Sequence, residues 1–469
     1  MNQAGVNRLG TESVGKLLVS LALPAITAQF VNMLYNVVDR IYIGHIPEIG
    51  ATALTGVGVT FPIIMIIAAF SSLIGMGGAP RAAIKLGQGK HDEAEQILGN
   101  CFVSLVGISV VLTIVFLFTG EKLLLLFGAG PETLPYALGF FKYYVCGTIF
   151  VQIALGLNTF ISTQGFAKIS MMTVIIGAVI SIILDPIFIF GLDMGVEGAA
   201  IANVIAQAVS ALWTLYFLFG KKTKLKIQKK YMKLKKSVIT PVLLLGVSPF
   251  IMQSTESLLN IAFNSSLKNY GGDMAVGAMT ILSSLMQMMI LPIMGLTQGS
   301  QPIISYNYGA KNNERVKRTF KLLIISSMSF SFTFWLIMTI FPHFFVSLFS
   351  NDPKLIETTV LALKIYMAVA FVMGAQLACQ QTFIAVGQAK TSLILALLRK
   401  IILLIPLIYI LPNFFSNKEF AVFLAEPVSD FLAVAVTVTV FAIQFKKILA
   451  ENTSKMDIRK VQKSLTPDM

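Results

Sequence analysis

Charge is scarce in this sequence. Asp, Glu, Lys and Arg together make up only 12% of its 469 residues, and 56% are hydrophobic. No soluble domain of this length needs so much apolar surface, whereas a membrane protein does. Cysteine is nearly absent too. Cys101, Cys146 and Cys379 all fall inside apolar stretches, and their spacing suggests neither a disulfide framework nor a thiolate metal site. They read as small core residues. Histidine is limited to His45, His91 and His343, in or beside loops. No P-loop, GxSxG, HExxH or CxxC occurs. The chain therefore carries no ATP motor, and we expect neither an enzyme nor a bound cofactor. The polar start, MNQAGVNRLGTESVGK, followed by an apolar run of span length, does not read as a cleavable signal peptide.

Long apolar runs are plentiful, and many reach the roughly 20 residues that a helix needs to cross a bilayer. The expected fold is an all-α polytopic membrane protein with twelve spans, at 17–44, 54–79, 95–119, 133–163, 169–191, 196–219, 239–267, 275–300, 317–348, 356–386, 391–413 and 420–446. Lys and Arg supply 36 charges against 22 from Asp and Glu, a net of +14. In a soluble protein that excess would raise nucleic acid as a partner. Here the bases gather in alternate loops, as the positive-inside rule requires, so nucleic acid is not expected. One set of loops holds Arg81, Lys85 and Lys90, then Lys168, then KKTKLKIQKKYMKLKK at 221–236, then Lys311, Arg315, Lys317 and Arg318, then Lys390, then Lys446 and Lys447. The other set, such as HIPEIGA and LDMGVEG, is short, with acids at least as common as bases. The alternation puts both termini and the lysine run on the cytoplasmic side. The run itself, nine lysines in sixteen residues, reads as a solvated linker and topology anchor, with anionic lipid headgroups as a further use.

The chain repeats itself. At a shift of 222, Gly87 falls on Gly309, Phe127 on Phe349, Pro131 on Pro353, Tyr144 on Tyr366, Gly165 on Gly387 and Lys168 on Lys390. Shifted by two more, Gln29 meets Gln253 and Asn36 meets Asn260. A duplicated six-span unit follows. Six is even, so both copies insert the same way round and are related by a pseudo-two-fold axis along the membrane normal. The expected organisation is a six-helix lobe at 1–220, the basic linker at 221–236, a second six-helix lobe at 237–448 and a cytoplasmic tail at 449–469.

Polar residues inside the spans are the functional candidates, because an ionisable group in hydrocarbon is costly. Asp185 stands in the fifth span, followed by Pro186, which lacks the N–H that would pair with the Ile182 carbonyl and should kink the helix. Gly177, Ser181 and Asp185 share one face at spacing i, i+4, i+8, and Asn203, Gln207 and Ser210 share a face of the next span. The first span carries a stripe of Gln29, Asn32, Asn36 and Asp39. The seventh repeats it with Gln253, Glu256, Asn260 and Asn264. Such stripes should face the interior or a water-filled cavity. The fourth span offers Asn158 and Ser162, and the tenth offers Gln376 and Gln380. Asp39 and neighbouring Arg40 point about 100° apart on a helix, so they are not expected to pair. Two chemistries suit the acids. A desolvated carboxyl takes up a proton and gives it back, or carboxylate and amide oxygens hold Na⁺ as hard ligands. Glu426 and Asp430 in the twelfth span read either as functional acids or as groups tying the bundle together, and Arg399 and Lys400 are expected to snorkel towards the cytoplasmic surface. The cluster LMQMMILPIMG, with Met286, Met288, Met289 and Met294 around Gln287, reads as ordinary packing, with an adaptable binding surface as the lesser alternative.

Twelve spans, the parallel duplication, LDPIFIFGLDMGVEGAAIA across spans five and six, and the loops LGQGKHDEA and YGAKNNERVKR resemble the multidrug and toxic compound extrusion (MATE) family, and most closely its MepA-like bacterial branch. That resemblance implies a monomeric secondary antiporter of the cell inner (cytoplasmic) membrane. It would export drugs and other lipophilic organic cations through a V-shaped cleft between two lobes in exchange for H⁺ or Na⁺, and so contribute to antibiotic resistance. The family's cation site matches Asp39, Asn158, Asp185 and Asn203, with Ser181 where many members carry an amide, so Na⁺, if that is the ion, would sit at Asp39 and Asp185. The family's seventh-span acid matches Glu256. With Asn32, Asn36, Gln253, Asn260, Gln287, Gln376 and Gln380 it would line the substrate cleft. The family's tenth-span Asp has no match here. A lipid-linked oligosaccharide flippase of the same superfamily is the alternative, but it predicts interior Arg and Lys that the spans mostly lack. A channel or a membrane-embedded enzyme is the alternative from another class.

Overall fold

Apolar runs of this length leave the backbone one way to satisfy its hydrogen bonds in lipid, which is to coil into helices. The computed structural model describes residues 4–465, with side chains over residues 8–452. The last four residues of the tail expected at 449–469 lie outside the described residues. A short helix α1 (Ala4–Thr11) leads into α2 (Val14–Gly44), α3 (Gly50–Gly87) and α4 (His91–Leu126). Then come α5 (Leu134–Cys146), α6 (Thr148–Thr163), α7 (Ala167–Pro186) and α8 (Gly195–Phe219). After the linker run α9 (Lys236–Gly309), α10 (Asn313–Ile340), α11 (Pro342–Ser347), α12 (Pro353–Tyr366), α13 (Met373–Ala385), α14 (Ala389–Leu397), α15 (Ile405–Ile410) and α16 (Lys418–Leu465).

Among the described residues nine helices are long and apolar enough to cross a membrane, and two bent pairs raise the number to eleven. The twelfth span lies within α9. At 1.5 Å per residue its 74 residues would run about 110 Å, more than three times the hydrocarbon thickness. The helix breaks at Gly272, whose φ of 66° and ψ of −157° only glycine adopts freely. Two spans therefore meet there, as the sequence predicts.

The bent pairs occupy matching places in the two repeats. α5 and α6 meet at 57° across Gly147, and α12 meets the helical stretch Ala370–Ala385 at 52°. Gly147 is required, because a Cβ there would press into the Val204 side chain. The span does not end at Pro186, where the sequence places a kink, but continues to Gly191. α7 passes into a wider π turn over Ile187–Gly191, which absorbs the missing proline N–H without breaking the span. A second π turn, Leu398–Leu404, joins α14 to α15.

The chain forms two compact units. The first holds the chain through Arg8, Val19–Ala82 and His91–Leu258, and the second holds Leu9–Leu18, Ala83–Lys90 and the chain from Leu259 on. The first unit is cored by residues such as Ile63, Leu124, Phe140 and Ile189. The second is cored by Phe263, Leu285, Met373 and Phe423. Met286 and Met289 are buried in that core, which is the packing role expected of the methionine cluster. Cys101 and Cys379 are buried as expected, whereas Cys146 is exposed.

Glycines set the closest helix contacts. Within the first unit a Cβ on Gly77 would overlap the Val242 carbonyl, and one on Gly246 would overlap the Leu73 carbonyl. Within the second unit Gly87 meets the Tyr306 carbonyl and Gly309 meets the Ile84 carbonyl. Ile84 and Tyr306, like Gly87 and Gly309, stand 222 apart. The two contacts are thus copies of one another, as a two-fold relation between repeats demands. In lipid, where burial of apolar surface drives little association, such close backbone packing is what holds helices together.

The lysine run is docked rather than freely solvated. Thr223, Leu225 and Ile227 turn inward and are buried, with lysines between them. The Gln164 side-chain oxygen accepts from the Thr223 hydroxyl at 2.9 Å and from the backbone N–H groups of Lys224 and Leu225 at 2.7 and 2.9 Å. Glu95 accepts from the Lys226 N–H at 3.1 Å and from the Gln228 amide. Asn100 donates to the Tyr231 carbonyl and accepts from the Lys235 N–H. Partial burial pushes the Lys224 ammonium below its usual range.

Gly309→Leu should cost about 3 kcal/mol by overpacking a backbone contact, while Gly107→Ala, at a helical position with open space around it, should be neutral or slightly stabilising. Thermal unfolding in detergent compares the two, and equal midpoints would show that the glycine contact is dispensable. Gln164→Ala should free the linker and speed tryptic cleavage across 221–236 by about tenfold, because the cleavage rate follows the population of the open segment. Unchanged cleavage would mean that Gln164 does not hold the docked run.

Candidate functional site

The site in the first unit is assembled from α2, α7 and α8. Its centre is Asp185, which is fully buried on α7. One turn back on the same face, the Ser181 hydroxyl donates to the Asp185 carboxylate, at 3.2 Å to Oδ2. The i, i+4 spacing read from the sequence brings these two together directly. Further back on that face Gly177 lies against α8. A Cβ there would stand 2.6 Å from the Ser210 hydroxyl, and Ser210 donates to the Thr173 carbonyl at 3.1 Å. α7 and α8 are thus drawn close along a seam of small and polar residues, with Asp185 near its end.

Asn203 on α8 is nearly buried, and its amide donates to the Tyr35 hydroxyl at 3.1 Å. Tyr35 lies one turn before Asp39 on α2, so the bond ties α8 to the helix that carries the second acid. Asp39 Oδ1 is buried with no hydrogen-bond partner among the described residues. Asp39 and Asp185 are within electrostatic reach of one another and of the Tyr35 hydroxyl. The Arg40 guanidinium lies over the Phe61 ring at 5.5 Å and makes no ion pair with Asp39 among the described residues, although its charge still reaches that carboxylate. Ser181 thus meets Asp185, and Asn203 meets Tyr35 one turn from the half-buried Asp39. Two negative charges there are costly without a cation.

The π turn begins two residues after Asp185 and leaves the helical ladder irregular at the acid's C-terminal side. Irregular backbone at membrane depth is tolerated where it lines a cavity or is buried in protein. Tyr35 was not among the residues singled out from the sequence. The available signal was its position i−4 to Asp39, on the face that carries the acid.

Asn158 is not drawn into this group. Its amide donates to the Ser170 carbonyl at 3.1 Å, and Oδ1 is buried without a partner among the described residues. Ser170 lies fifteen positions before Asp185 on α7, about 22 Å along the axis at 1.5 Å per residue. Of the residues assigned to the substrate cleft, Asn32 and Asn36 are exposed on α2, and the Asn36 amide donates to the Asn32 carbonyl. Gln253 accepts from the Ser72 hydroxyl at 2.7 Å, tying α9 to α3. Glu256 is exposed on the same helix. In the second unit Asn260 and Gln287 are exposed, whereas Gln376 and Gln380 are buried on α13. Neither amide atom of Gln376 has a partner among the described residues.

Arg399 does not snorkel to the surface. Its Nε contacts Asp430 Oδ1 at 2.7 Å and a terminal nitrogen contacts Glu426 Oε1 at 3.4 Å, with all three side chains largely enclosed. Lys400 is buried as well. Two carboxylates one turn apart offer the guanidinium a nearby partner, so the side chain turns inward rather than reaching for water.

Comparison with known proteins agrees with this architecture. The MatE family model matches residues 24–187 and again 249–410, one match to each repeat. The multidrug export protein MepA of Staphylococcus haemolyticus (strain JCSC1435) is 26% identical over 423 residues, covering 90% of this chain and 92% of that protein. MepA of Staphylococcus aureus (strain N315) is 26% identical over 404 residues, covering 86% and 88%. Among solved structures, MATE in the bent conformation matches with a TM-score of 0.90 at 22% identity, over 97% of this chain and 100% of that one. An outward-facing multidrug resistance MATE family transporter of the MOP superfamily matches at 0.88 and 22%, over 96% and 99%. The chain belongs to the MatE family of multi-pass membrane transporters.

Proposed function

We propose that this multidrug efflux transporter is a secondary antiporter that exports lipophilic organic cations across the cytoplasmic membrane in exchange for H⁺ or Na⁺ loaded at Asp39 and Asp185. The observation that carries the reading is the buried Asp39 Oδ1, which has no hydrogen-bond partner among the described residues, in the same unit as the fully buried Asp185. A cation that binds there relieves the cost of two enclosed negative charges, and a proton relieves it by neutralising one of them. Ser181, Asn203 and the Tyr35 hydroxyl hold the acids' surroundings in place. The named function of the MepA relatives, multidrug export, supports the substrate class. Loop charge supports a cytoplasmic location for both termini and for the lysine run. We read the protein as a monomer, with transport rather than catalysis as its activity.

The cation drives transport only if it binds one conformation better than the other, because equal affinity shifts nothing. Loading from outside would favour release of the drug, and loss of the cation inside would favour drug uptake from the cytoplasm. Glu256, exposed one turn past Gln253 on α9, would supply a negative charge to attract a cationic drug.

In proteoliposomes an imposed pH or Na⁺ gradient should drive ethidium transport, and only one of the two gradients should do so. Asp39→Asn and Asp185→Asn should each abolish the gradient-driven component while leaving folded protein. Full transport in both variants would defeat the reading. Tyr35→Phe removes one hydrogen-bond partner of Asn203 and should slow coupled transport by up to about tenfold, equivalent to roughly 1.4 kcal/mol. An unchanged rate in that variant would assign Tyr35 a packing role alone.

A further inference from the structure

The two repeats carry corresponding seams between their last two helices. At a shift of 223, buried residues of α8 fall on buried residues of α16: Ala202 on Ala425, Asn203 on Glu426 and Thr214 on Thr437. Gln207 then falls on Asp430. On the partner helix Thr173 falls on Leu395 and Gly177 on Arg399 at a shift of 222. By the end of the π turn Leu398–Leu404 the shift becomes 223, so that Ser181 falls on Leu404 and Asp185 on Ile408, all four buried. The wider turn accommodates the one added residue.

The seams are therefore equivalent in place and opposite in charge arrangement. In the first repeat the acid stands on α7, and Gly177 leaves room against α8. In the second repeat the acid's place is taken by Ile408, the amide's place by Glu426, and the glycine's place by Arg399, which reaches across the seam to both carboxylates of α16. The Ser429 hydroxyl donates to the Arg399 carbonyl at 2.9 Å and fixes the two helices at that level.

We propose that Arg399 is a tethered counter-cation: it permanently fills, in the second repeat, the seam that takes an exchangeable cation in the first, and so confines coupling to Asp39 and Asp185. This rests on the reading that a cation is exchanged at those two acids. The contacts support it. One guanidinium meets both Glu426 and Asp430, with all three side chains largely enclosed, and Lys400 is buried next to it in sequence. Without Arg399 the two carboxylates lose the positive charge that bridges them, a deficit that one bound cation would meet. Among the described residues the helices packed against α16 bring no further buried charge. α13, packed against α16, brings only Cys379 as a titratable group. On α12, Lys354, Glu357 and Lys364 are exposed and Tyr366 packs edge-on to Phe263. Tyr409 on α15 is exposed.

The test separates this role from that of a structural tie. Thermal unfolding of the purified full-length protein is followed against pH and Na⁺ in an Asp39→Asn/Asp185→Asn background, where the first-repeat acids no longer titrate. The background and its Arg399→Lys derivative should have midpoints that do not respond to the cation. With Arg399→Gln the buried acids need a proton or Na⁺, so the midpoint should fall by about 3 °C or more as pH rises from about 5.5 to 8, or recover when Na⁺ is added. Adding Glu426→Gln should flatten it again. A midpoint lowered equally at every pH and Na⁺ concentration would overturn the proposal and leave Arg399 a structural tie. If Arg399→Gln does not fold at neutral pH, recovery of folded protein at about pH 5.5 supports the proposal and failure there overturns it. With Asp39 and Asp185 intact, Arg399→Gln should move one more cation per drug than the unaltered protein. Absence of coupling in the unaltered protein would defeat the antiport reading while leaving the unfolding result to stand by itself.

Discussion

A charge enclosed among apolar helices has to find an opposite charge, a proton or a way back to water. Much of the structure around the spans' interior polar residues follows from that constraint. Asp185 is fully enclosed and holds one hydroxyl. Asp39 keeps an oxygen without a partner among the described residues. Glu426 and Asp430 are enclosed just as deeply but hold a guanidinium between them. Among the described residues, the same duplicated scaffold thus carries two acids with no ion pair in one repeat and two acids bridged by a guanidinium in the other. An incomplete group is what an exchanger needs, because only a deficit of charge can be met by a mobile ion.

The backbone makes these groups possible. Small residues let helices approach until carbonyls touch, as at Gly246 against Leu73 and at Gly309 against Ile84. Close approach shuts water out and raises the cost of any unpaired polar atom. The π turns have the opposite effect. Each loosens the helical ladder beside an ionisable group, next to Asp185 in one repeat and around Arg399 in the other. The carbonyl contacts lie on α3 and α9, whereas the loosened turns follow α7 and join α14 to α15.

The basic run shows how a polar segment can be ordered without becoming a helix or a strand. Its apolar residues alternate with lysines, and three side chains, Glu95, Asn100 and Gln164, meet its backbone groups. From composition alone it reads as a solvated tether. Its order comes from acceptors on helices that precede it by 60 to 135 residues, which no local pattern reveals.

Local periodicity and composition determined a good deal by themselves. The helical class, the twelve spans and the duplication follow from runs and repeats, because a bilayer leaves so few backbone solutions. Ser181 with Asp185, and Asn36 with its own helix, follow from spacing on one face. What the tertiary structure decided was partnership between helices. Tyr35 as the neighbour of Asn203, Asn158 tied to Ser170 away from the acids, Arg399 turned inward and the lysine run held down all depend on residues distant in the chain. Spacing along one helix fixes which side a residue faces. What waits on that side is set only when helices pack, and for a charged group in an apolar medium the identity of that partner decides whether it anchors the fold or awaits an ion.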